Sequence, residues 1–167
     1  TGGAPDAVSN GTAPEAAVGL VALFPGQGVQ YPGMARGLDE TEPVFRAALD
    51  RCAVTVRELL GVDLRTAMVD ASASELADTR VAQPVLFAVE FALTELWRAW
   101  GVEPTEMLGH SLGEYVAATV AEGFSLEHAL RAVCARARLM SELPGGRMLA
   151  VPLAEAELDA LMEDGLE

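Results

Sequence analysis

The 167-residue chain has no lysine: its eleven cations are all arginine, against 25 Asp and Glu, for a formal charge of −14. So acidic a chain repels phosphate backbones, which argues against a nucleic-acid partner. Long uninterrupted apolar runs are also missing. The charge-free stretch Val18 to Tyr31 is broken by proline and glycine, and the run Pro84 to Trp100 carries Glu90, Glu95 and Arg98. No segment therefore reads as a membrane span. Cysteine is scarce. Cys52 and Cys134 lie far apart within helical patterns, so free buried thiols are expected rather than a disulfide or a metal site. A basic-then-apolar leader is absent, and a reducing, cytoplasmic location is the expectation.

What is present is apolar and alanine-rich, with 51% hydrophobic residues and 29 alanines. That suffices for a sizeable core and favours helix. Residues 1–18, mostly Gly, Ala, Pro, Ser and Asn, read as a flexible interdomain linker. Leu153 to Glu167 reads as a helix that simply stops, so both ends are expected to be cuts within something longer. Between them, Gly19 to Phe24 predicts a buried strand and Pro25-Gly-Gln-Gly28 a glycine-rich turn. Gly33 to Leu38 predicts one or two helical turns, and Pro43 to Leu60 a helix that Gly61 stops. Asp63 to Leu76 is ambiguous.

Pro84 to Trp100 predicts the strongest helix, with Val85, Leu86, Val89, Leu93, Leu96, Trp97 and Trp100 on one stripe. Glu106 to Gly109 predicts a strand end and Ser111 to Val120 a helix. Ser125 is placed to cap a helix from Leu126 to about Leu143. Met148 to Leu153 is strand-like and Ala154 to Met162 helical. This alternation predicts an α/β fold with a mostly parallel sheet.

Gly109-His-Ser-Leu-Gly113 carries the chemistry. It matches G-x-S-x-G between a predicted strand and a predicted helix, the context of a nucleophile elbow. The helix N-terminus beyond it favours an oxyanion. A serine nucleophile needs a base, and the chain has only two histidines. His110 is adjacent to Ser111 and leaves the turn in another direction; His128 falls in the first turn of a charged helix and reads as a surface residue. Either the serine is not catalytic, or its base lies outside this sequence.

Four motifs in order, Phe24-Pro-Gly-Gln-Gly-Val-Gln30, Ala82-Gln-Pro84, Gly109-His-Ser-Leu-Gly-Glu114 and Arg136-Ala-Arg-Leu-Met140, resemble the acyltransferase domain of polyketide synthases. They also resemble the related malonyl-CoA:acyl carrier protein transacylases of fatty acid synthesis. The resemblance implies residues 19–147 as the N-terminal portion of a hydrolase-like large subdomain. It implies residues 148–167 as the truncated start of a ferredoxin-like small subdomain.

The same resemblance makes Ser111 the nucleophile that takes an acyl group from CoA. It places the backbone N–H groups of Gln27 and Leu112 in the oxyanion hole, and makes Arg136 the anchor for the free carboxylate of a dicarboxylic acyl group. His110 would support the elbow and Gln83 the pocket. No metal or bound cofactor is implied: a CoA thioester is the donor, and the phosphopantetheine of an acyl carrier protein the acceptor. The other implied partners are neighbouring synthase domains such as a ketosynthase and its linker. The family's general base would be a histidine beyond this chain, so the fragment alone is expected to be inactive. Aliphatic Leu112 and the segment Thr79-Arg-Val-Ala-Gln83 resemble the malonyl-type pattern. Two rival readings are a serine esterase or thioesterase of hydrolase-like fold, and a non-catalytic scaffold module.

Overall fold

The computed structural model describes residues 19–144, 151–154 and 157–158. Strand β1 (Val21–Phe24) pairs in parallel with β2 (Glu106–Gly109), Val21 opposite Glu106 and Phe24 opposite Gly109. Between them run five helices: α1 (Arg36–Thr41), α2 (Pro43–Leu60), α3 (Leu64–Val69), α4 (Ala73–Ala77) and α5 (Thr79–Ala99). After β2 come α6 (Gly113–Val120) and α7 (Leu126–Ser141). The fold is α/β: a small parallel sheet with helices in the majority. Among the described residues, no helix is long and apolar enough to cross a membrane.

The core lies where α2, α5 and α7 pack on one another. From α2, Phe45, Leu49, Cys52 and Val56 recur at intervals of three or four and are buried, as an amphipathic stripe requires. Leu130, Val133, Cys134 and Ala137 of α7 do the same. Burial also removes both thiols from chemistry near neutral pH, pushing Cys52 up to about 12 and Cys134 up to about 11.

Three sequence expectations are revised and one open stretch is resolved. The α5 helix starts at Thr79, not Pro84, because the Asp78 carboxylate accepts the Arg80 N–H and so caps it one and a half turns earlier. Pro84 then sits inside the helix and removes a single backbone donor. Nor is α5 a one-stripe helix: Ala82 to Ala92 is buried without a break, while Trp97 and Trp100 meet edge to face at its half-exposed end. The ambiguous stretch after Asp63 is two short helices, capped by Asp63 and by a Ser72–Glu75 capping box. Finally, β1 is buried on one face only. Phe24 packs into the core, but Leu23 points outward and stays 69% exposed beside Leu108, as the two-residue period of a strand dictates.

The remaining helices fall close to expectation. The segment before Thr41 forms α1, and α6 begins at Gly113, two residues after the expected Ser111. Ser125 caps α7 through a 3.3 Å bond from the His128 N–H. Arg65 binds α1, α2 and α3 together by forking onto Asp39 (3.0 Å) and reaching Asp50 (2.7 Å). Of the strand expected at Met148–Leu153, only 151–153 are described, and they form none. The small-subdomain expectation otherwise lies outside the described residues.

One buried carboxyl group stands out in α5. The Glu90 carboxyl is 7% exposed, neither oxygen has a partner among the described residues, and burial pushes it up to about 8. Because the folded value exceeds the ordinary 4.5, the native state holds the proton more tightly. Stability is therefore whole below about 4.5 and falls as pH rises to about 8. Glu90→Gln should melt almost with wild type at pH 4.5 and be more stable at pH 9, by up to about 5 kcal/mol. Thermal melts across that range check it, and curves that stay parallel throughout would refute the assignment.

Candidate active site

The site is built from two chain reversals at the same edge of the sheet. Because Phe24 is in register with Gly109, both strands deliver their following turns side by side. The Phe24 carbonyl accepts the His110 N–H at 2.9 Å. The start of α6 lies directly against the same peptide: a Cβ on Gly113 would overlap the Phe24 carbonyl, and one on Gly109 would overlap the backbone of Gly113 and Glu114. A Cβ on Gly26, in the other turn, would come within 2.9 Å of His110 Nδ1 and within 3.4 Å of Ser111 Cβ. Glycine at these places is thus a condition of the two turns touching.

Ser111 stands at the apex. Its φ of 53° is left-handed, a conformation that costs a non-glycine residue about 1–2 kcal/mol. It is exposed, two residues ahead of α6. Arg136, half-buried on α7, donates from Nη2 to Ser111 Oγ at 3.0 Å. Among the described residues no other side chain hydrogen-bonds to that hydroxyl. The backbone N–H groups of Gln27 and Leu112 donate to no other described residue.

Ser111, Gln27, Leu112, Arg136, His110 and Gln83 are therefore brought to one place. Gln83 is fully buried beneath the turn, and its Nε2 donates to Gln27 Oε1 at 3.3 Å and to Met140 Sδ at 3.4 Å. His110 packs against Gly26. His128 is exposed in the first turn of α7, as expected. Arg131 pairs with Glu127 at 3.0 Å and borders, with Arg138, a hollow against the end of α2, away from Arg136.

Residues 21–166 match the family model described as the acyl transferase domain. The chain belongs to the acyl transferase domain family. A phenolphthiocerol/phthiocerol polyketide synthase protein of Mycobacterium tuberculosis is 44% identical over 156 residues, which are 87% of this chain and 10% of that protein. The acyl transferase domain of ZmaA superposes with a TM-score of 0.77 at 42% identity, over 86% of this chain and 34% of that one. A malonyl-transacylase solved in complex with its type II polyketide synthase acyl-carrier protein gives 0.67 at 33% identity, over 76% and 40%. The chain thus spans about a tenth of the curated synthase and about a third of the solved acyl transferase domain.

Three residues around this site have contacts that escaped the sequence reading. Thr79 accepts from Gln27 Nε2 at 3.2 Å. Gln30 takes the Gly28 N–H at 2.8 Å and donates to the Leu76 carbonyl at 3.1 Å. Met140 meets Gln83. All three lie inside segments already quoted, but local pattern carries no signal for the contacts to Gln27, Leu76 and Gln83, which span 46 to 57 residues.

The glycine contacts make a paired test. Gly113→Ala should cost more than about 3 kcal/mol or abolish folding, as a steric insertion against backbone does. Gly37→Ala, where the added methyl meets nothing within 4 Å in α1, should be stabilising by up to about 1 kcal/mol. Urea unfolding of both variants measures the contrast, and equal midpoints would contradict the described packing.

Proposed function

We propose that this chain is the nucleophile-bearing part of an acyltransferase domain in a polyketide or related fatty acid synthase. It takes a malonyl-type acyl group from CoA onto Ser111 and passes it to the phosphopantetheine thiol of an acyl carrier protein. The observation that carries the reading is the 3.0 Å contact between Arg136 and Ser111 Oγ. In a malonyl thioester the free carboxylate is two carbon–carbon bonds from the carbonyl carbon that the serine attacks. A guanidinium already at the hydroxyl is therefore within reach of that carboxylate and can grip it with two parallel hydrogen bonds. A monocarboxylic acyl group has nothing to offer it.

The geometry supports the following steps. Ser111 Oγ adds to the thioester carbonyl, its proton passes to a base, and the oxyanion forms where the Gln27 and Leu112 N–H groups are unoccupied. Collapse expels CoA as thiol and leaves an acyl-serine; the carrier thiol then repeats the addition and frees the hydroxyl. Neither histidine hydrogen-bonds to Ser111 among the described residues, so the base comes from the remainder of the domain, in keeping with the third of a solved domain that this chain spans. The relative solved with its acyl-carrier protein is a malonyl-transacylase, which supports both the acyl class and the acceptor. Neighbouring synthase domains, a ketosynthase among them, are the expected covalent partners.

The 167-residue chain alone should give no malonyl transfer to a carrier protein, and the full domain should give turnover that Ser111→Ala abolishes. In the full domain Arg136→Ala should lower kcat/KM for malonyl-CoA by about 100-fold or more and leave that for propionyl-CoA nearly unchanged. An acyl-CoA panel read by carrier-protein mass shift decides the matter. Propionyl preferred by the wild-type domain would remove the role given to Arg136, and release of free malonate without an acceptor would favour a thioesterase.

A further inference from the structure

We propose that Thr79 and Gln83 form a clasp that positions the Gln27 turn beside Ser111, which makes both of them positioning residues for acyl transfer. The inference rests on the reading of Ser111 as acyl acceptor and of the Gln27 N–H as an oxyanion donor. Thr79 and Gln83 are one turn apart on α5 and share a face. The carboxamide of Gln27 fits between them: its Nε2 donates to Thr79 Oγ1 at 3.2 Å, and its Oε1 accepts from Gln83 Nε2 at 3.3 Å. An amide held at both ends cannot rotate, so a residue in an exposed turn is tied to the first turns of the central helix.

The anchor is firmer than the group it holds. Gln27 is exposed, whereas Gln83 is fully buried. The second N–H of the Gln83 amide goes to Met140 Sδ at 3.4 Å, on α7 one turn after Arg136. A single buried carboxamide therefore joins the turn that carries the oxyanion donor to the helix that carries the guanidinium. Gln30 adds a brace from the other side by bridging the Gly28 N–H and the Leu76 carbonyl just ahead of α5. Without these ties Gly26-Gln27-Gly28, with Gly28 at φ 124°, has the backbone freedom of glycine on both sides. An oxyanion donor is useful only when it is aimed before the charge develops, so a loosened turn should lower kcat rather than weaken binding.

The test uses the full acyltransferase domain that contains this chain, with Gln83→Ala, Gln27→Ala, their double variant and the near-isosteric Thr79→Val. Each single change should lower kcat, by about tenfold for the glutamines and about threefold for Thr79→Val, with KM for malonyl-CoA within about twofold. The double variant should be no worse than its worse parent, because Gln27→Ala already removes the carboxamide through which Gln83 holds the turn. Multiplicative losses, or a raised KM at constant kcat, would overturn the clasp and leave Gln83 as a pocket wall. Thr79→Val, with no large cavity to open, keeps the test valid if Gln83→Ala misfolds; wild-type kcat in it also counts against the proposal.

If transfer persists in Ser111→Ala, the acyl-serine reading fails on its own. The clasp is then read by hydrogen exchange at the Gly28 amide, which Gln83→Ala should speed by about tenfold or more while α6 is unaffected. Unchanged exchange there would refute it.

Discussion

The site depends on one backbone contact, where the start of α6 lies against the Phe24 carbonyl at the end of β1. The parallel register puts Phe24 beside Gly109, and the absence of a Cβ at Gly109 and Gly113 lets the second chain reverse at once into a helix. That reversal forces Ser111 into the left-handed region and lifts its hydroxyl clear of the sheet. Strain of this kind persists only where the surroundings over-determine it. Here they do: the His110 N–H is bonded to Phe24, and Gly26 closes on His110 from the other turn.

The helical core serves that contact from a distance. Packing of α5 against both α2 and α7 fixes two lateral positions at once. One is the N-terminal end of α5, which holds Gln27; the other is the face of α7 that presents Arg136. In a chain without lysine every cation is a planar fork, and several described arginines use that geometry structurally. Arg65 gathers two carboxylates, and Arg46 takes the Asp39 and Glu40 carbonyls near the end of α1. Arg136 is the one directed at the serine.

Legibility varied with the range of the interaction concerned. The helix from Pro43 to Leu60 could be read to the residue because its apolar period, its N-terminal proline and its C-terminal glycine are all local. The elbow could be read for the same reason, five consecutive residues containing both glycines and the serine. The start of α5 was misplaced because Pro84 is the louder signal, while Asp78, a single capping carboxylate, decides where the first N–H groups are satisfied. The one-sided burial of β1 was hidden because a four-residue apolar run looks alike whether one face or both are covered.

The amino-acid sequence by itself determined the α/β class, most helix spans, the serine elbow and the lack of a well-placed histidine to serve it. Each of those follows from periodicity, capping chemistry or residue supply within a short window. Tertiary structure alone decided that Arg136 touches Ser111, that Thr79 and Gln83 grip Gln27, and that Glu90 is buried with no partner among the described residues. Those pairings join residues 25 to 56 positions apart. Side chains so separated meet only after helix packing has fixed where each element lies, and no local preference encodes that placement.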